Sequence, residues 1–504
     1  MAGPALSASD AVLLLQVENG VSSRTMATAM VAGPAPSPNA VRAGPLLQSH
    51  SQAFNNIGVI LVALCVICLP LVGLYLDRCW PKPFKNRPHT WRGVLLLIAA
   101  YVVWVPAIFS KDFSFNIGFI VPLVGNRIGI TMDEHNSFAP GPIHESTRSL
   151  IKLLLNKDCW LGAVLLSIYA FAVPVLKLIL LTMGEHFRNR PDQADKRHSR
   201  RCLLLMQAIS KWAAPDMFGY ILLYCLVRNL QKLPVDSVCV FDMGFTCYST
   251  FILVSSMAAM TLPLPADPDE QEGMAPRANL VARMLGHRGV SLAMLCNLAA
   301  WVPLFALGIM TPCFSLRLDS ATLKDNVPPA MKTVLGAIKL EDMVPPQGVS
   351  LTMAIQDHLG WFQSDIDLNL LLCFVMLLVF GVIFTAVHML TLVIVAFQTR
   401  FSERGAPIPS MWKFSESIKH LAMLDVFVMG VLVCTLSAGS FSDQGLILEI
   451  MTTGFVSIVV SEVIRLISGY LVQSVVDYHF MPPTEECSAE GHRSRTSELT
   501  RPKS

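Results

Sequence analysis

Hydrophobicity in this chain runs in long blocks. Nine apolar stretches stand out, at about 57–76, 93–109, 161–183, 213–227, 238–262, 290–313, 368–397, 421–436 and 446–471. Most approach or exceed the ~20 residues that carry a helix across a ~30 Å hydrocarbon layer. Helices are the default there, because a helix satisfies its own main-chain groups without water. Two kinds of polar segment separate the blocks. Loops 77–92, 184–211 and 398–419 are basic, and 263–288 is rich in proline and runs from acidic to basic. Segments 110–158 and 314–366 are long and mixed, with β-like pieces at 117–121 and 128–132 in the first.

Composition agrees with the pattern. Of 504 residues 53% are hydrophobic and only 15% charged, against about 25% charged in soluble domains. Mean hydropathy is +0.53. The class predicted is an all-α polytopic membrane protein of about nine transmembrane helices. The Lys/Arg bias sets direction. It puts the basic loops in the cytoplasm and both long segments outside, with the N-terminus outside and the C-terminus inside. Stretch 57–76 is the weakest of the nine, and removing it would move only the N-terminus. A net charge of +2 argues neither for nor against nucleic acid, and with no basic stripe beyond the loops no nucleic-acid partner is predicted.

The chain reads as one unit used twice. Segment 1–54, rich in Ala, Ser, Pro and Gly, is a disordered or targeting tail. Residues 55–90 hold the extra helix and a basic loop. A four-helix repeat follows at 91–262, a cytoplasmic linker at 263–288, a second four-helix repeat at 289–475 and a polar tail at 476–504. Each repeat carries a long, partly β extracytoplasmic loop. Three matches support the duplication. Trp104-Val105-Pro106-Ala107 aligns with Met310-Thr311-Pro312-Cys313, and Ala172–Lys177 with Ala386–Thr391. Lys211-Trp212-Ala213-Ala214-Pro215-Asp216-Met217-Phe218 aligns with His420-Leu421-Ala422-Met423-Leu424-Asp425-Val426-Phe427.

That last pair of blocks carries the candidate chemistry. A carboxylate in a membrane span costs roughly 2.5–3.5 kcal/mol on insertion scales. Asp216 and Asp425 sit at equivalent places, 209 residues apart. Buried in low dielectric, each can bind and release a proton. The competing reading is a helix N-terminal aspartate at the membrane surface, held by the dipole. Lys177, one span earlier, could pair with Asp216 or snorkel to the cytoplasmic surface. His388 lies on the equivalent helix and suits a proton relay, or packs as a simple hydrogen-bonder. Thr391 takes the lysine's place. Glu462 and Arg465 have i,i+3 spacing, which predicts an internal pair.

Asp242 and Glu449 read as caps of outer helix starts. Pro106, Pro174 and Pro312 can kink helices. Cys65 and Cys68 form a C-x-x-C inside an apolar run, where small apolar filling explains them better than metal. Cys159, Cys239 and Cys313 fall near one membrane face and allow one bridge. No metal site, cofactor or catalytic set is predicted, and the lack of a P-loop argues against ATP use.

The paired blocks resemble the paraquat-inducible protein A family (PqiA and its relative LetA). The family's mark is aromatic–small–Met–Leu–Asp–Val–Phe at a helix start in each of two repeats. "AMLDVFVMGVLV" fits closely; "KWAAPDMFGYILL" keeps the tryptophan and the aspartate. Trp212, Phe218 and Phe427 flank the motif. The likeness covers about 91–475. It implies an inner-membrane-type protein that moves lipids between membranes with an MCE-type partner. The implied partners are membrane lipids and a lipid-transfer protein on the extracytoplasmic side. The family's cytoplasmic zinc ribbons have no counterpart here: only Cys79 precedes the first repeat, and 263–288 has no cysteine. The expectation is therefore a component of intermembrane transport of lipid or another amphipathic molecule, coupled to protons through Asp216, Asp425 and Lys177. Its rival is a tetraspanin-like scaffold that acts through its long outer loops. A membrane enzyme ranks last.

Overall fold

The computed structural model describes 56–79 in part, 91–120, 127–130, 143–188, 192–230, 235–262, 280–319, 347–401, 410–439 and 446–480, and isolated positions near them. The tails 1–54 and 481–504 and most of the linker 263–288 lie outside the described residues. The fold is mostly helical. Among the described residues six helices are long and apolar enough to cross a membrane, and Gly93–Phe109 is a shorter apolar one. The chain is a multi-pass integral membrane protein.

The first half begins with α1 (Trp91–Phe109), then β1 (Phe113–Ile120), β2 (Arg127–Ile130), β3 (Ile143–Glu145) and α2 (Thr147–Asn156). Helix α3 (Trp160–Arg188) contains a π turn at Ile168–Ala172, just before Pro174. Next come α4 (Gln193–Ile209), a 3₁₀ turn (Ser210–Ala213), α5 (Pro215–Asn229), β4 (Val235–Phe241) and α6 (Met243–Thr261). The second half has α7 (Leu280–Met310), β5 (Phe314–Leu318), β6 (Gln347–Val349) and α8 (Leu351–Asp365). It ends with α9 (Leu368–Phe401), π at Met376–Ile383, then α10 (Ser410–Leu421), α11 (Leu424–Ala438), β7 (Leu446–Ile450) and α12 (Thr452–Phe480).

Two small antiparallel sheets mark one end of the bundle. In each, the strand that leaves the first helix is central. Phe113 of β1 pairs with Glu145 of β3 on one side and Phe241 of β4 on the other. Phe314 of β5 pairs with Val349 of β6 and Ile450 of β7. Ser146 and Ser350 then cap α2 and α8, each accepting from the N–H three residues on. Both caps satisfy a donor the helix itself leaves free.

These strands correct several expected boundaries. Stretches 238–262 and 446–471 open as strands, so their helices start only at Met243 and Thr452. Glu449 is a strand residue opposite Ser315, not a cap. Asp242 precedes α6 but makes no side-chain cap; Ser114 Oγ donates to its carboxylate instead. Pro106 is inside α1, whereas Pro312 follows α7, so those prolines do not correspond. Cys159, Cys239 and Cys313 are free thiols. Within 57–76 the described pieces are helical, and Asn56 bonds the Leu368 N–H at the start of α9.

Packing separates a centre from a rim. Helix α5 has 12 of its 15 residues buried, so it is enclosed on all sides. Val456, Val460, Val463, Ile467 and Tyr470 instead form an exposed apolar stripe along α12, the surface a lipid-facing helix presents. Helices α5 and α11 cross through glycines. A Cβ on Gly430 would meet the Phe218 Cβ and the Pro215 carbonyl at 2.7 Å. Small residues allow this close approach where the hydrophobic effect between helices is absent.

At the sheet end Arg228 of α5 clasps α8. It donates to Tyr224 Oη at 2.6 Å, pairs with Asp365, and lies over the Trp361 ring at 4.7 Å. His358 packs beneath, buried, with Nδ1 2.7 Å from the Ala354 carbonyl. Burial pushes its pKa down to about 4 from 6.5.

Two predictions follow from this packing. Gly430→Ala should lower stability by about 1–3 kcal/mol through overpacking. Gly360→Ala, with nothing within 4 Å of the new Cβ, should stabilise by up to ~1 kcal/mol. Thermal unfolding in detergent separates them. A group whose folded pKa is depressed below the unfolded value favours folding above 6.5 and loses that contribution as pH falls toward 4. His358 should therefore cost about 2 kcal/mol between roughly pH 7 and pH 5. His358→Gln should remove that part of the pH dependence.

Candidate functional site

Helix α5 is 15 residues long. At 1.5 Å per residue it spans about 22 Å, short of a ~30 Å hydrocarbon layer. The remainder comes from the last turns of α4, and contacts along α6 show the course of the chain. Gln207 donates to the Ala259 carbonyl, Ser210 meets Ser256, and Tyr248 Oη bonds both Ala213 and Asp216. So 207–216 climbs steadily along α6, and the helix breaks beside the middle of an apolar neighbour. The cause in the sequence is Pro215. It has no N–H and disfavours a helical residue before it, yet suits the first helical position of α5.

The second half breaks at the same point of its motif without a proline. Ala422 and Met423 are non-helical between α10 and α11. The Met423 N–H goes to the Phe380 carbonyl at 2.9 Å, inside the π turn of α9. The apolar stretches 213–227 and 421–436 are thus the second parts of interrupted helices.

Both motif aspartates stand in the first turn after a break. Asp216 is 1% exposed. Its Oδ1 accepts from Tyr248 Oη at 3.1 Å and from the Met217 N–H at 2.9 Å. Its Oδ2 has no hydrogen-bond partner, and among the described residues no cation pairs with it. It lines a cavity of ≈ 30 Å³ together with Phe113, Leu166 and Gly219. That is room for about two waters. The surface reading of Asp216 therefore fails.

Asp425 differs. Its Oδ1 accepts from Val426 N–H at 3.0 Å. Its Oδ2 lies 2.5 Å from Lys211 Nζ, which comes from the break of the first half. Lys211 also reaches the Ala422 carbonyl at 3.4 Å. The bridge therefore ties one break to the other.

Lys177 does not pair with Asp216. It is buried, and donates to Ser210 Oγ at 2.5 Å and the Ser255 carbonyl at 2.9 Å. Ser255 and Tyr248 are about 10 Å apart along α6, so the lysine and the aspartate occupy separate levels. His388 is buried, with Nδ1 2.7 Å from Arg465. Arg465 Nε donates to Glu462 at 2.9 Å, the i,i+3 pair its spacing predicts. Thr391 donates to the His388 carbonyl at 2.8 Å and meets Ser415 at 3.3 Å. Phe218 and Phe427 meet edge to face, centroids 6.0 Å apart. Trp212 is half-buried in the 3₁₀ turn.

Sequence reasoning missed Lys211, because it was read as part of the basic loop, and Tyr248, because a tyrosine in a span has an ordinary packing role. It also missed Asp112, between α1 and β1. Asp112 is 1% exposed, and its Oδ2 accepts from Thr147 Oγ1 at 2.6 Å. Burial pushes its carboxyl up to about 8, partly offset by the Thr147 bonds.

Among the described residues no group of three or more His, Cys, Asp and Glu could hold a metal ion. No family model, no curated protein and no solved structure matches the chain.

The cross-break bridge makes a prediction. Both side chains are mostly buried, at 12% and 14% exposed. Lys211→Met leaves the Asp425 carboxylate uncompensated and should cost about 2–4 kcal/mol. Adding Asp425→Asn should recover at least about 1 kcal/mol in a double-mutant cycle of thermal stability.

Proposed function

We propose that this protein is a proton-coupled component of transport of lipid or another amphipathic molecule between membranes, built from two tandem repeats of four spans each. The observation that carries the reading is the pair of interrupted helices. Each breaks inside the bundle and places an aspartate at the break, one buried without a cation. Discontinuous helices at the interface of two repeats are the usual setting of substrate and coupling-ion sites in transporters. A buried ionisable residue within a span is a functional residue by default.

Several particulars support the repeat. Apart from β2, the described elements run in the same order from α1 to α6 and from α7 to α12. Asp242 N–H bonds the Asp112 carbonyl at 3.0 Å, and Met451 N–H bonds the Cys313 carbonyl at 3.0 Å. Phe218 touches Phe427, its own counterpart in the motif, as residues on a two-fold axis do. Nine spans result when the partly described 57–76 and the interrupted helix 203–229 are added to the six long helices and α1. On this reading the sheets face the extracytoplasmic side, where they offer a docking face to a lipid-transfer partner. The resemblance to the paraquat-inducible protein A family supports the same function.

The scaffold reading keeps one observation on its side. The cavity at Asp216 is only ≈ 30 Å³ and has an almost wholly apolar wall, so lipid transport would use the rim or need the bundle to open.

The test is reconstitution in vesicles with a fluorescent phospholipid and a pH gradient. Asp216→Asn and Asp425→Asn should each slow gradient-driven lipid movement by roughly tenfold or more. Unchanged lipid movement and proton flux in both variants would leave the scaffold as the function.

A further inference from the structure

We propose that Asp112 is the port through which the Asp216 carboxyl exchanges protons with the compartment on the sheet side, and that only the first repeat carries such a port. The inference rests on the proton-coupled reading above and adds the direction and the route.

Two buried carboxylates here each keep one oxygen without a hydrogen-bond partner, Asp112 Oδ1 and Asp216 Oδ2. Buried polar oxygens are rarely left so unless water serves them. The two carboxyl groups are near enough for the charge of one to act on the other. The cavity lined by Asp216 is also lined by Phe113, the residue next to Asp112. Asp112 belongs to the sheet end, at the exit of α1 and directly before β1. The groups that act on its charge are Asp216 of α5, Asp242 before α6, and Cys247 and Tyr248 of α6, with Thr147 of α2 as hydrogen-bond donor. None of these is a cation, and the adjacent Lys111 is exposed. The column from Asp242 through Asp112 to Asp216 and Tyr248 is therefore made of groups that bind or release protons. Its last member bonds the carbonyl at the helix break.

The second repeat lacks every member except the aspartate. Cys313 holds the place of Asp112 by its main-chain bond to Met451, which stands for Asp242. The Cys313 thiol donates to the Val349 carbonyl at 3.5 Å. Ser457, 209 residues after Tyr248, turns back to the Thr453 carbonyl of its own helix at 2.7 Å. Asp425 is tied to Lys211. One repeat thus has a titratable column to the sheet side, and the other has a fixed ion pair.

Infrared spectroscopy of the full chain in vesicles tests this. The protonated-carboxyl band of Asp216 is identified by its loss in Asp216→Asn, and its exchange is followed after D₂O is added on the sheet side. Asp112→Cys, which installs the side chain the second repeat carries at that place, should slow the exchange by roughly tenfold or more. Asp112→Glu should keep the wild-type rate, which separates loss of the carboxyl from loss of the fold. Equal exchange in Asp112→Cys and wild type overturns the port. Fast exchange in wild type, slowed in Asp112→Cys, with lipid movement indifferent to a pH gradient, upholds the port and removes the coupling to lipid.

Discussion

A helix that stops before it has crossed an apolar layer leaves main-chain donors and acceptors where no water can reach them. Each such group costs several kcal/mol in hydrocarbon, so a break survives only if something else meets the need. Two helices here break in this way, and the bundle is arranged around their repair. At the first break Pro215 removes one donor, and the Ala213 carbonyl takes the Tyr248 hydroxyl of α6. At the second, the Met423 N–H finds a carbonyl in the π turn of α9, and Lys211 crosses from the other half to the Ala422 carbonyl. Every repair comes from a different helix. Through Lys211 the breaks are also one of the places at which the halves are joined.

Charge follows the same logic with different outcomes. Arg465, 1% exposed, has Glu462 one turn away and His388 across the bundle. Asp425 has Lys211. Buried pairs of this kind are weak contributors to stability, since desolvation consumes most of the Coulomb gain, and well-packed apolar residues often do as well. Their presence in a bundle rich in Leu, Val and Phe thus calls for a reason other than stability. Asp216 and Lys177 sharpen the point, because among the described residues neither has an opposite charge in contact. Stability alone would favour Asn and Met at those two places.

Much of the fold was legible in the sequence. Block hydrophobicity located the six long apolar helices, and the doubled motif drew attention to both aspartates. The β-like pieces at 117–121 and 128–132 fall on β1 and β2. What failed has a physical cause. A strand of apolar residues running into an apolar helix looks like one longer span, so β4 and β7 were absorbed into 238–262 and 446–471. Hydropathy does not distinguish a helix that begins from one that resumes, so a surface position stayed open for Asp216, which lies at an internal break. The α4 segment hid its apolar last turns behind Lys196, Arg197, Arg200 and Arg201. Asp112 carried no signal at all: a lone aspartate after a helix reads as loop, and only tertiary packing buries it.

The size of the space around Asp216 constrains how any transport could run. By volume that space would hold about two waters, and its wall is almost wholly apolar. Helices α5 and α11 cross at Gly219 and Gly430, where even a methyl group does not fit on Gly430. Beside that crossing, residues of both helices line the cavity at Asp216. A lipid path must then use the exposed apolar faces at the rim, as on α12, and protons and lipid would follow separate routes. Coupling between such routes requires a shared moving part. The interrupted helices satisfy that need, because each break touches the carboxylate on one side and the neighbouring half on the other. A proton added at Asp216 changes the charge beside the Tyr248–Ala213 bond, and Ala213 belongs to the same turn as Lys211, whose ammonium holds Asp425 of the second half. Lys211 and Asp216 are separated by four residues, the first two in the 3₁₀ turn, short enough that a change at one end is felt at the other.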